Sequence, residues 1–142
     1  MVNNELYNNL QLSILDFVNV HPDSNSIQSL KNSTEMVQLA DRLGYKRYWF
    51  TEHHNSPSQI STSPDLLSLH AASHTENIRV GSGGVMLPNH SSLRVAENFT
   101  LLEALYPGRV DLGIGRASGT DGLTALALQR SQEAVTSNDF PE

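Results

Sequence analysis

Four short apolar runs alternate with four stretches of helical periodicity along the 142 residues. That alternation restricts the fold more than any other feature of the chain. Strand then helix, repeated, is the pattern of a parallel sheet, because parallel neighbours need a long crossover and a helix usually supplies it. The apolar runs are Leu10 to Phe17, Tyr45 to Thr51, Ile78 to Leu87 and Arg109 to Ile114. Each unit takes about 30 to 35 residues. A closed barrel of eight such units takes roughly 250 residues. The expectation is therefore an α/β chain holding the first four βα units of a (β/α)8 barrel, a half barrel or a fragment. Two sheet edges would be left unpaired. Such a chain is expected to be a piece of a longer barrel, to close on a second copy, or to twist into an open sheet.

The punctuation between the runs agrees. The spacing predicts a first helix over Ser33 to Leu43, with Asn32 as its cap, Glu35 reaching back, and an apolar stripe of Met36, Leu39, Ala40 and Leu43. Gly44 is a suitable left-handed stop. Ser63-Pro64-Asp65 opens a second helix with a cap, a first-turn proline and an acid that suits the helix dipole. A third helix starts near Ser91 or Ser92 and buries Val95, Ala96, Phe99, Leu102 and Leu105. A glycine-rich loop, Gly115 to Gly122, leads into a weaker fourth helix, and Ser131 to Glu142 is a polar tail.

Charge and composition remove several function classes. Nine Lys and Arg stand against 15 Asp and Glu, for a formal charge of -6. An acidic chain without a basic cluster is not expected to bind nucleic acid or an anionic membrane. The absence of Cys excludes disulfides, thiol nucleophiles and Cys-ligated zinc. Met1 to Glu5 lacks the basic start and apolar core of a signal peptide. A cytoplasmic location is the expectation.

Three constellations carry candidate chemistry. Glu52-His53-His54 follows the apolar Tyr48 to Thr51. Catalytic groups of parallel α/β enzymes sit at the carboxyl ends of strands, and an imidazole transfers protons near neutral pH. The bland alternative is a loop whose side chains cap local backbone. Gly81-Ser82-Gly83-Gly84 lies inside the third strand, where glycine marks close approach of a backbone or a ligand. A tight packing layer explains it equally well. Gly113-Ile114-Gly115-Arg116-Ala117-Ser118-Gly119 is a weak dinucleotide match, because it follows the fourth strand rather than the first. A phosphate or cofactor rim with Arg116 as the cation fits better. His70 and His74 share a helix face at i,i+4 but lack the metalloprotease glutamate, and no metal site is expected.

Taken together, these segments closely resemble the bacterial luciferase-like flavin-dependent monooxygenases. The resemblance is carried by Leu43 to Asn55, by Arg79 to His90, by Leu93 to Glu97 and by Pro107 to Arg116, with Leu12 to Asp16 also fitting. It covers essentially the whole chain, 1–142, as the N-terminal half of such a domain. It implies a TIM barrel that binds reduced FMN at its carboxyl mouth, the FMN being supplied by a separate reductase. O2 and an aldehyde or other small organic molecule would be the co-substrates. By that resemblance His53 is the active-site base, with Glu52 beside it, and His54, Gly83, Gly84 and Arg116 contact the cofactor. A non-proline cis peptide is implied at Gly83-Gly84.

The expected function is an FMN-dependent monooxygenase. The rivals are a deazaflavin-dependent reductase on the same barrel, a non-catalytic half barrel that self-associates, and a metal hydrolase using His53 and His54. A homo-oligomer is the expected assembly.

Overall fold

The computed structural model describes residues 10–128. Strands β1 (Ser13–Asp16), β2 (Arg47–Phe50), β3 (Arg79–Met86) and β4 (Val110–Gly115) form one sheet in the order β1-β2-β3-β4. Every neighbouring pair is parallel: Ile14 faces Tyr48, Tyr48 faces Val80, and Val80 faces Val110. Helices α1 (Ser26–Arg42), α2 (Pro64–Ser73) and α3 (Ser92–Leu105) cross between successive strands, and α4 (Gly122–Ala127) follows β4. Each strand lies beside its predecessor in sequence, which is the wall of a TIM barrel drawn through four of its units. The tail from Ser131 to Glu142 lies outside the described residues. Among the described residues no helix is long and apolar enough to cross a membrane.

Strand alternation divides the sheet into two faces. Tyr48, Phe50 and Val80 pack against Val37 and Ala40 of α1 and Ala71 and Ala72 of α2. Val85 packs with Val95, Phe99 and Leu102 of α3. Tyr48 is fully buried, and its hydroxyl donates to Asp16 Oδ2 at 2.7 Å, an oxygen that Ser33 Oγ also reaches at 2.5 Å. Burial, and then the neighbouring Asp16 carboxylate, push the phenol well above its ordinary range.

Among the described residues the opposite face bears no helix, and Leu15 on it is 48% exposed. Near its amino-terminal end, Asp111 accepts from Arg47 Nε at 2.9 Å and from Arg79 Nε and Nη2 at 2.8 and 2.7 Å. The hydrogen bonds from Arg79, then those from Arg47, hold the Asp111 carboxyl below the usual carboxylate range despite partial burial.

The helices depart from the sequence expectation in start and phase. Helix α1 begins at Ser26, not Ser33, because the Asn25 side chain accepts from Gln28 N at 3.0 Å and caps it there. Asn32 lies inside the helix and accepts instead from Gln28 Nε2. The buried positions are Ser29, Val37 and Ala40, whereas Met36, Leu39 and Leu43 are half-exposed or more. In α3 the buried set is Val95, Phe99 and Leu102; Ala96 and Leu105 are exposed.

Candidate active site at the carboxyl ends of the strands

The chain leaves β2 at Phe50 and runs directly into Thr51, Glu52, His53 and His54. Glu52 is completely buried. Its Oε1 lies 2.7 Å from His54 Nε2 and 2.7 Å from His90 Nε2, while Oε2 accepts from Met86 N at 2.8 Å. One carboxylate thus ties the β2 end to the β3 end and to the turn after it. A lone buried carboxylate would be costly, and these three partners are what make its burial tolerable.

His53 turns the other way. Its ring stacks on Phe17, after β1, with centroids 5.7 Å apart and planes 22° from parallel. Its Nδ1 lies 3.1 Å from Thr51 Oγ1, and its backbone N–H donates to Ser61 O. The Glu-His-His run therefore does not form one cluster. Glu52 and His54 come together with His90, and His53 stands apart.

Strand β3 is irregular where it matters. The β3–β4 register shifts between Ser82 and Val85, and the Gly83–Gly84 peptide in that interval is cis. Such a bulge re-aims the side chains beyond it, so Val85 enters the helix-side core while Met86 offers its N–H to Glu52. Ser82 is the last β3 residue in register before the break. Its buried hydroxyl donates to Gly113 O at 2.8 Å and accepts from Gly113 N at 3.1 Å, replacing ladder bonds that the bulge removes. Two of the glycines answer to the sheet itself. A Cβ on Gly81 would lie 2.0 Å from Asp111 O, and one on Gly84 would lie 2.9 Å from the Gly113 carbonyl. Gly83 differs: it is exposed on the open face, beside Leu15 and Trp49.

The loop after β4 is strapped across this end. Arg116 opens it and is exposed. Asn89 Nδ2 donates to Ser118 O at 2.8 Å, His54 N donates to Gly119 O at 3.1 Å, and Thr120 Oγ1 donates to His54 O at 3.0 Å. The backbone passes so near that a Cβ on Gly119 would meet Glu52 O at 2.7 Å.

Glu52, His53 and His54 thus follow β2, Gly83 and Gly84 lie in the second half of β3, and Arg116 follows β4. His90 and Ser82 were not assigned roles from sequence. His90 lies 38 positions from Glu52, and nothing local announces the pairing. Ser82 looked like one more small residue in a glycine run. The i,i+4 pair at the end of α2 has other partners: His70 Nε2 lies 2.9 Å from Thr34 Oγ1 of α1, and His74 Nδ1 lies 2.8 Å from His70 O.

Known proteins are similar to this chain in sequence and in fold. The model of the family described as luciferase-like monooxygenase matches residues 10–132. The uncharacterized protein YvbT of Bacillus subtilis is 49% identical over 142 residues, which is all of this chain and 41% of that protein. The crystal structure of apo-MsnO8 superposes with a TM-score of 0.82 at 44% identity, covering 84% of this chain and 36% of that one. The oxygenating constituent of 3,6-diketocamphane monooxygenase of Pseudomonas putida, in complex with FMN, superposes with a TM-score of 0.75 at 21% identity, covering 84% and 32%. The last likeness concerns the fold alone. The chain spans about two fifths of the length of the curated relative it matches throughout.

Proposed function

Since the chain belongs to the luciferase-like monooxygenase family, we propose that it forms the amino-terminal part of an FMN-dependent monooxygenase site. That site would act with O2 on an aldehyde or another small organic substrate, taking reduced FMN from a separate reductase. The observation that carries the reading is the convergence of Glu52, His53, His54, Gly83, Gly84 and Arg116 at one end of one parallel sheet. Ligands of α/β barrels bind at that end. The structure related to 3,6-diketocamphane monooxygenase holds FMN.

The residues suit a flavin. Gly83 is exposed within the sheet, beside the half-exposed Leu15, so the open face offers a flat apolar surface to a planar ring. Arg116 brings a cation to the rim, where a guanidinium can meet a phosphate. Reduced flavin, when bound, supplies the electrons that activate O2. His53 is the proton-transfer group: Thr51 engages Nδ1, which leaves Nε2 to take and return a proton. Glu52 acts through His54, whose Nε2 it holds. The strapped loop from Arg116 to Asp121 limits water access from the β4 side.

The test is a fluorescence titration of the purified chain with FMN, beside riboflavin. Saturable binding at micromolar FMN, about -8 kcal/mol, supports the reading. Arg116→Ala should then weaken FMN about tenfold and riboflavin little. Equal losses would remove Arg116 from the phosphate, and no flavin binding by a complete barrel carrying these residues would sink the proposal.

A further inference from the structure

Glu52 holds two imidazoles through a single buried oxygen, and the flavin contacts proposed above give His90 no part. We propose that Glu52, His54 and His90 bind one divalent transition-metal ion of the zinc class. Glu52 and His90 share their pocket with Val85, Val95 and Phe99 of the helix-side core. One ligand atom from each of the three side chains lies within 4.8 Å of the others.

The donor set has a definite preference. Two imidazoles and one carboxylate suit zinc and its neighbours, whereas magnesium and calcium favour all-oxygen shells. A tetrahedral ion at about 2.0 to 2.2 Å from each ligand would set those atoms roughly 3.4 Å apart. The two contacts now at 2.7 Å would have to open by less than ~1 Å. His90 has room for this, since its side chain is 34% exposed. Binding is a ligand exchange. In each imidazole the proton that Nε2 gives to Oε1 is exchanged through water to Nδ1, which frees the Nε2 lone pair for the ion, so two hydrogen bonds to Oε1 give way to two nitrogen–metal bonds. The Met86 N–H on Oε2 keeps the carboxylate oriented, which is the support such ligands require.

The surroundings leave a coordination position open. Glu52 and His90 line a pocket of about 420 Å³. Asn89 lines it too, and its Oδ1 is buried with no hydrogen-bond partner among the described residues. That oxygen is suited to accept from a metal-bound water. Three protein ligands with a fourth position open is the arrangement of exchangeable rather than purely structural zinc.

The test is a cobalt(II) titration of the untagged, chelator-stripped chain, followed by visible absorption. We expect saturation at one equivalent, with the intense bands of four- or five-coordinate cobalt, and displacement by zinc. His90→Ala should weaken cobalt at least tenfold with the circular dichroism unchanged, and His54→Ala should do the same. His70→Ala should change nothing. The proposal is overturned if no saturable spectrum develops, if the spectrum survives both substitutions, or if His70→Ala removes it and so moves the ion to α2. No flavin is added, so failure here leaves the flavin reading intact, and failure of the flavin titration leaves this one intact.

Discussion

Asp111 links three strands through one carboxylate, with Arg47 and Arg79 both donating to it. Its folded pKa is depressed. The stability it contributes is therefore present above the unfolded carboxylate range and is lost as pH falls through the folded value. Asp111→Asn should destabilise the fold by about 1 to 3 kcal/mol at neutral pH. It should also flatten the loss of stability on acidification below about pH 4. Denaturation midpoints measured from neutral to acid pH check both, and parallel curves for the two proteins would refute the assignment. At this scale the sequence showed the residue types of the site but not their division of labour. Glu52, His53 and His54 are adjacent, yet the carboxylate works with His54 and His90 while His53 stacks on Phe17. Side-chain direction at the end of a strand depends on what packs beside it, and that is not local information.

Elements were legible in kind and less so at their ends. Three strands lie inside their apolar runs and β4 passes the end of its run by one residue, to Gly115, because β-branched and aromatic residues mark such segments. Helix α1 starts earlier than its periodicity predicts because Asn25 and Asn32 are both competent caps, and the choice falls to the loop that brings Asn25 to the first turn. Asn25→Ala should cost about 1 kcal/mol, read as a drop in melting temperature, while Asn32→Ala at an exposed mid-helix position should cost less. An equal or reversed order would restore the later start. The bulge in β3 makes a sharper prediction. Gly81→Ala places a Cβ against Asp111 O, a backbone atom that cannot step aside. A cost of about 1 to 3 kcal/mol or more follows, and neutral stability would show that the β3–β4 contact is looser than described. The glycine run thus has two explanations at once: close backbone packing at Gly81 and Gly84, and an exposed surface at Gly83.

The molecule as a whole is a sheet with two open edges among the described strands, β1 and β4. Large apolar groups accompany them: Leu10 and Leu12 beside β1, and Leu112 and Ile114 on β4, are 41 to 62% exposed. Unpaired edges and apolar surface of this kind favour association. Sedimentation of the chain should give a mass above 15.6 kDa that rises with concentration; a monomer at every concentration would show that the edges are protected. The sequence by itself determined the order of strands and helices, the parallel sheet and the family, because hydrophobic periodicity and motif spacing are properties of the chain read in one dimension. Only the tertiary structure decided that His90 joins Glu52 and His54, that Ser82 mends the ladder beside a bulge, and that Gly83 alone of its run is exposed. The first two depend on segments 30 or more positions apart meeting within hydrogen-bond distance, and no local pattern encodes such a meeting.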